Sequence, residues 1–220
     1  SQDSDIAVDF TQDTDKATWL PRLEGIDAVI NVVGVLRDSA AQPMRKVLEQ
    51  TPLALFAACQ EIGIQRIVQG SALGVDQGIE TLYFQTRRAP EAFLRELPGD
   101  FRYLIIRPSV IYGEDGASAK LFRLQASLPL ITLPAGGRQT LQPVHIDDIC
   151  QSVVNWLGDV KAESQTVACV GAEATDLRGM LDSYRQQLGK SSALHISVPY
   201  SLVKLAASIG DYHPASPLAS

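Results

Sequence analysis

The chain has 220 residues, 45% hydrophobic and 20% charged, enough apolar content to bury a full core as one domain or as one domain with a small lobe. Its formal charge of −6 is spread without a basic stripe or an acidic tail, which argues against nucleic acid or an anionic membrane as partner. Cys59, Cys150 and Cys169 are widely spaced inside apolar runs and read as buried thiols, not as a disulfide frame or metal cluster, and no apolar run approaches the roughly 18 residues of a transmembrane helix, so a reducing cytoplasm is the expectation.

In chain order, a polar start leads to a very short strand candidate, Ile6 to Phe10, which holds Asp9. Asp13-Thr14-Asp15 supplies N-cap chemistry for a helix through Trp19 and Leu23 that Gly25 stops. Asp27 to Gly34 (DAVINVVG) has no polar face, the pattern of a strand covered on both sides. Met44 to Gly63 is helical by period, and Thr51-Pro52 inside it is either a kink or the cap and first residue of a new helix.

Three short pieces follow that form one unit. Arg66 to Ser71 is a β-branched run bounded by Gly63 and Gly74, too short for a buried helix and so a core strand. The next stretch places Leu82, Ala89, Phe93 and Leu97 near one helical face, and sets Tyr83 and Arg87 four apart as neighbours on a single side. YLIIRP is again strand-like and stops at Pro108, which lacks an N–H donor. Strand, helix, strand with short links is a parallel βαβ unit, and the carboxyl ends of such strands line its crevice, which sets Ser71 and Ser109 near one rim.

Beyond Gly113, a loop leads into a helix through Leu121, Phe122 and Leu128, and residues 128–144, rich in proline and glycine, read as loop and edge strand. HIDDICQSVVNWLG is a helix with Asp147 and Asp148 in its first turn. QTVACVG is a strand, ATDLRGMLDSYRQQLG a capped amphipathic helix, ALHISVP a strand, and PYSLVKLAASIG a last, proline-started helix. The fold class expected is α/β: a doubly wound parallel sheet in residues 1–113 and a smaller α/β lobe in 114–220, interleaved with the end of the sheet.

INVVG, RIVQGSALG, YFQTR, LIIRPSVIYG and PVHIDDI, in this order, resemble the extended and atypical branch of the short-chain dehydrogenase/reductases, the NAD-dependent epimerase/dehydratase relatives. The resemblance runs from Asp9 to about Leu157 and looks closest to NmrA-like and complex I accessory-subunit-like proteins. It implies an NAD(P)-binding Rossmann fold, with NADP or NAD as cofactor. Under it, Asp9 would accept a hydrogen bond from the adenine amino group, and Val33 and Gly34 would let backbone pass close to the adenine ribose. Ser71 would hydrogen-bond the reacting oxygen, Tyr83 would be the acid/base, and Arg87 would stand where lysine holds the ribose hydroxyls and lowers the phenol pKa. Pro108 and Ser109 would meet the nicotinamide end by main chain.

The sequence departs from that pattern in three places. Arg87 replaces lysine, and its broad, planar, permanent charge is not an equivalent of an ammonium. Leu141 stands where nucleotide-sugar members carry a diphosphate-gripping arginine. The glycine-rich phosphate loop is absent, and because the family's strand order is 3-2-1-4-5-6, the resemblance implies a further βαβ unit of roughly 50–60 residues ahead of Ser1. Two function classes follow: an NAD(P)-dependent oxidoreductase or epimerase/dehydratase relative acting on a small-molecule substrate through Ser71, Tyr83 and Arg87, or a non-catalytic dinucleotide-binding accessory or redox-responsive regulator with a protein partner or as a homodimer.

Overall fold

The computed structural model describes residues 5–113, 116–199 and 201–202. In chain order its elements are α1 (Lys16–Trp19), β1 (Ala28–Asn31), α2 (Thr51–Ile62), β2 (Arg66–Gly70), α3 (Leu82–Arg95), β3 (Arg102–Pro108), β4 (Ile111–Tyr112), α4 (Ala117–Ser127), β5 (Leu130–Pro134), β6 (Thr140–Leu141), β7 (Val144–His145), α5 (Ile146–Gly158), β8 (Gln165–Cys169), β9 (Thr175–Asp176), α6 (Leu177–Gln187) and β10 (Leu194–Val198). They fall into two compact units, one of residues 1–109 and 147–169, the other of 110–146 and 170–220. Residues 147–169 return to the first unit and supply its last strand.

The first unit is built on a parallel sheet in the order β1-β2-β3-β8. Alternate residues of its central strands enter two separate cores. Ile67 and Ile105 pack with Phe56, Cys59 and Leu94 from α2 and α3, whereas Val68, Leu104 and Ile106 pack with Val153 and Trp156 from α5. Period-two side chains buried on both faces are what a sheet wound with helices on each side requires. The expected α/β class with a parallel sheet is thus what the structure shows.

Two expectations need correction. Ile6 to Phe10 forms no strand among the described residues. Asp9 is bonded into a local turn instead: the Gln12 and Asp13 N–H groups donate to the Asp9 carbonyl, and the Asp9 N–H donates to the Asp13 carboxylate at 2.7 Å. Residues 5–9 are exposed, so water can serve their remaining backbone groups without a ladder. Second, β1 is not covered on both faces. It lies at the edge of the described sheet; Val29 enters the α2-side core, but Ile30 is 49% exposed and Val32 70% exposed, because α5 covers β2 and β3 and not β1.

Local chemistry accounts for the helix ends. The Asp15 side chain accepts from the Ala17 N–H and starts α1, and Gly25 (φ +75°) lies just beyond the short 3₁₀ turn that follows. Helix α2 is entered through a π turn, Lys46–Gln50, directly before Pro52, whose missing N–H suits the wider winding. Thr51 Oγ1 donates to the Phe10 carbonyl at 2.8 Å and ties this bend to the N-terminal segment.

In the second unit, β5 and β10 form a parallel pair, and Ala126, Ile131, Leu133 and Leu181 close a small core with Phe122 stacked on Tyr184. The Asp176 side chain caps α6 by accepting from the Gly179 N–H at 2.6 Å. Buried Arg185 donates to the carbonyls of Ala126, Leu128 and Ser191, satisfying the end of α4. The last helix expected from the sequence falls mostly outside the described residues, and no described helix is long and apolar enough to cross a membrane.

Candidate functional site

Because β1, β2, β3 and β8 run parallel, their carboxyl ends share one rim of the first unit's sheet. Gly34 follows β1, Ser71 follows β2, and Pro108 ends β3 with Ser109 just after it. Backbone bonds lock the rim together: the Ser71 N–H donates to the Ile106 carbonyl at 2.7 Å, the Leu73 N–H to Pro108 at 3.1 Å, and the Ser109 N–H to Cys169 at 2.9 Å. The Ser109 N–H is therefore committed within the sheet, while the Pro108 carbonyl keeps a lone pair.

A buried amide pair sets the turn after β1. Asn31 Nδ2 donates to Gln69 Oε1 at 2.8 Å across the β1–β2 register, and Asn31 Oδ1 accepts from the Val33 N–H at 3.3 Å. Gly70 is packed so closely here that an added Cβ would lie 3.4 Å from the Asn31 carbonyl. The result delivers Gly34 to α3: a Cβ on Gly34 would be 3.7 Å from Arg87 Nη2.

Helix α3 presents Tyr83, Arg87 and Glu91 at successive i, i+4 positions, one stripe along its surface. The Arg87 guanidinium lies over the Tyr83 ring, 3.9 Å from its centroid, and Nη1 donates to the Tyr83 carbonyl at 3.2 Å. Arg87 is only 7% exposed, and its buried Nε has no hydrogen-bond partner. Burial pulls its pKa below the ordinary guanidinium value, opposed by the nearby Tyr83 and Glu91. The Tyr83 ring is half-buried against Met44, Val47 and Leu48.

Glu91 escaped the sequence reading and is the centre of the site's polar network. It is 1% exposed and accepts from Ser71 Oγ at 2.5 Å, from Arg107 Nη2 at 2.6 Å and Nε at 3.1 Å, and from Arg95 Nη2 at 2.6 Å. Burial alone would raise the Glu91 carboxyl; hydrogen bonds from Arg107, Ser71 and Arg95 outweigh it and hold the group below the usual glutamate range. The partner that the structure gives Ser71 is thus a carboxylate. Two signals in the sequence could have pointed to it: Glu91 repeats the four-residue step from Tyr83 to Arg87, and Arg107 is a cation directly after the apolar run Leu104 to Ile106.

The loop from Ser71 to Thr81 is held from both sides. Arg107 Nη1 bonds Asp76 at 2.6 Å, and Arg88 bonds the Val75 carbonyl, the Ile79 carbonyl and Glu80. Gly74 and Gly78 supply the positive φ values its turns need. The Asp9 carboxylate is exposed and caps its own turn, accepting from the Thr11 N–H at 2.8 Å and Thr11 Oγ1 at 2.7 Å. A cleft of about 420 Å³ lined by Leu20, Leu23, Ile26, Ile62 and Ile64 opens at the amino ends of β1 and β2, the opposite end of the sheet.

No protein-family model matches the chain. It is 26% identical over 160 residues to the mouse (Mus musculus) mitochondrial NADH dehydrogenase [ubiquinone] 1 alpha subcomplex subunit 9, a match covering 71% of this chain and 41% of that protein. The chain therefore spans less than half the length of that curated relative. Among solved structures it is similar to Bacillus cereus UDP-glucuronic acid 4-epimerase in complex with NAD (TM-score 0.69, 19% identity, 88% of this chain and 69% of that one). A second is the UDP-glucose 4-epimerase of Thermus thermophilus in complex with NAD (TM-score 0.66, 17% identity, 87% and 71%). The resemblance drawn from the five motifs holds at the level of fold: the structural neighbours are epimerases and dehydratases of the NAD-dependent class.

Proposed function

We propose that the protein binds NAD or NADP along the carboxyl-end rim of its parallel sheet, with the nicotinamide end toward Tyr83 and Arg87, as an oxidoreductase or epimerase/dehydratase relative. The observation that carries this reading is the convergence of bare backbone at Gly34 with the Arg87 guanidinium, 3.7 Å from where a side chain would start, beside the Tyr83 ring. Arg95, Arg107 and Arg88 are paired with Glu91, Asp76 and Glu80, whereas the Arg87 guanidinium bonds no carboxylate among the described residues and is the rim charge that can meet an anionic dinucleotide. Solved neighbours with the same fold hold NAD.

When bound, the nicotinamide supplies hydride transfer; the chain's own residues bind, orient and move the proton. In this reading Tyr83 exchanges a proton with the substrate oxygen, and Arg87, stacked on the ring, holds the ring in place. Arg87 also donates toward a ribose hydroxyl, through the guanidinium edge that faces Gly34. Leu141 in place of an arginine disfavours a nucleotide-sugar substrate.

A second reading has a specific basis. Arg87 spends its Nη1 on the Tyr83 carbonyl of its own helix, and the mouse relative is by name a subunit of a larger assembly. A non-catalytic, dinucleotide-binding subunit with a protein partner fits both. Three free thiols suit a reducing compartment, the cytoplasm in the simplest case.

Calorimetric titration with NAD and NADP tests the binding, and saturable heat with at least one is expected. No heat and no thermal shift at millimolar concentrations of either would refute it. Given turnover, Tyr83→Phe removes the transferred proton and abolishes it, whereas Arg87→Lys keeps or raises it. Equal turnover in wild type and Tyr83→Phe would leave the subunit reading.

A further inference from the structure

A carboxylate only accepts hydrogen bonds, so the 2.5 Å contact between Ser71 Oγ and Glu91 Oε1 fixes the direction of one proton: the serine hydroxyl donates to the glutamate. Glu91 cannot readily give up that role. Its two oxygens also receive Arg107 through two nitrogens and Arg95 through one, and at 1% exposure no water competes for it. The Ser71 N–H is likewise committed, to the Ile106 carbonyl. Ser71 therefore has no hydrogen left for a ligand; what it offers is the lone pairs of Oγ.

We propose that Glu91 is a positioning residue that makes Ser71 an obligate hydrogen-bond acceptor, so that the ligand group the rim selects beside Ser71 is a donor, an alcohol hydroxyl, in preference to the corresponding carbonyl. A ketone oxygen placed there would face the serine's lone pairs with lone pairs of its own, and would gain no bond to offset its lost water. An alcohol at the same point supplies the missing proton. This assignment rests on the dinucleotide-site reading for its location and adds the chemical class of substrate, a hydroxyl compound over its oxidised form.

Cyclohexanol and cyclohexanone match in shape and differ in whether the oxygen can donate, so they serve as probes. Each is titrated into the ¹⁵N-labelled protein, with and without NAD, and followed at the Ser71 and Ala72 amides. Cyclohexanol is expected to bind about fivefold more tightly, the worth of one net hydrogen bond. Ser71→Ala is expected to abolish that preference. Glu91→Gln can turn an amide N–H toward Ser71, free its hydroxyl to donate, and shift the preference toward the ketone, a reversal that loss of packing alone does not produce. Should Glu91→Gln fail to fold, Ser71→Ala decides alone.

Equal or tighter binding of the ketone by the wild type, a preference that survives Ser71→Ala, or no saturable shift at Ser71 with either probe would each overturn the assignment. Failure of NAD to bind bears on the dinucleotide reading instead, because the probe titrations are also made without it.

Discussion

Replacing Arg107 by methionine keeps most of the apolar stem and deletes the two donors that meet Glu91. Both partners are buried or nearly so, with side chains 12% and 1% exposed. Removing one member of such a pair costs about 3–5 kcal/mol. Ser71 and Arg95 stay on the carboxylate, which puts the expected loss near the lower end, about 3 kcal/mol. For a chain of this length that is a fall in Tm of roughly 6–12 °C.

The pH dependence is as diagnostic as the magnitude. In the wild type the folded carboxyl sits below its ordinary value, so its stabilisation is complete above the unfolded pKa, about 4.3, and is lost as pH falls through the folded one. In Arg107→Met, burial is opposed only by Ser71 and Arg95, the Glu91 carboxyl rises, and the variant is relieved of its buried charge sooner on acidification. The difference between the two proteins is therefore widest near neutral pH and narrows through pH 4 and below. Thermal melts followed by circular dichroism across that range measure it. A variant that melts within a degree of the wild type at neutral pH, or a gap that stays constant into acid, would refute the network as described.

Two other outcomes can be checked directly. Gly34→Ala places a methyl group at an ordinary 3.7 Å contact with Arg87 and needs no positive φ, so it is expected to leave the melting temperature within a degree or two; calorimetry should nonetheless show dinucleotide affinity reduced, and unchanged affinity would remove Gly34 from the site. Cys59 is fully buried with its thiol pushed up to about 12, whereas Cys150, expected from its apolar run to be buried, is exposed, so a thiol reagent at neutral pH is expected to label Cys150 quickly and to spare Cys59 until the protein unfolds; mass spectrometry of the labelled peptides reads the order.

Short-range signals in the sequence translated well into structure. The glycine-bounded β-branched run became β2, the four-residue spacing of Tyr83 and Arg87 became a stacked pair, and Asp15 and Asp176 capped the helices after them. Two failures share one cause. An apolar run reports what could be buried and says nothing of which neighbour covers it, so Asp27 to Gly34 read as a strand covered on both faces although Ile30 is 49% exposed, and Ile6 to Phe10 read as a strand although Asp9 is bonded into a turn. Glu91 was hidden for a different reason. A charged residue on a helix reads as solvated unless its partners are known; Arg95 lies on the same helix, but Ser71 and Arg107 join it only once the sheet has formed. The Pro52 alternatives, kink or new helix, were resolved by a π turn, which propensity does not anticipate.

The clamped loop after β2 has a kinetic consequence. Segments that order themselves on a ligand impose a first-order closing step, and the observed association rate then levels off as ligand concentration rises. Here Arg88 fastens three points of the loop and Arg107 a fourth, before anything is bound. A molecule arriving at this rim meets a wall already standing. Stopped-flow traces are accordingly expected to be single exponentials with rates linear in concentration, and differences in affinity among related compounds to lie in how fast they leave.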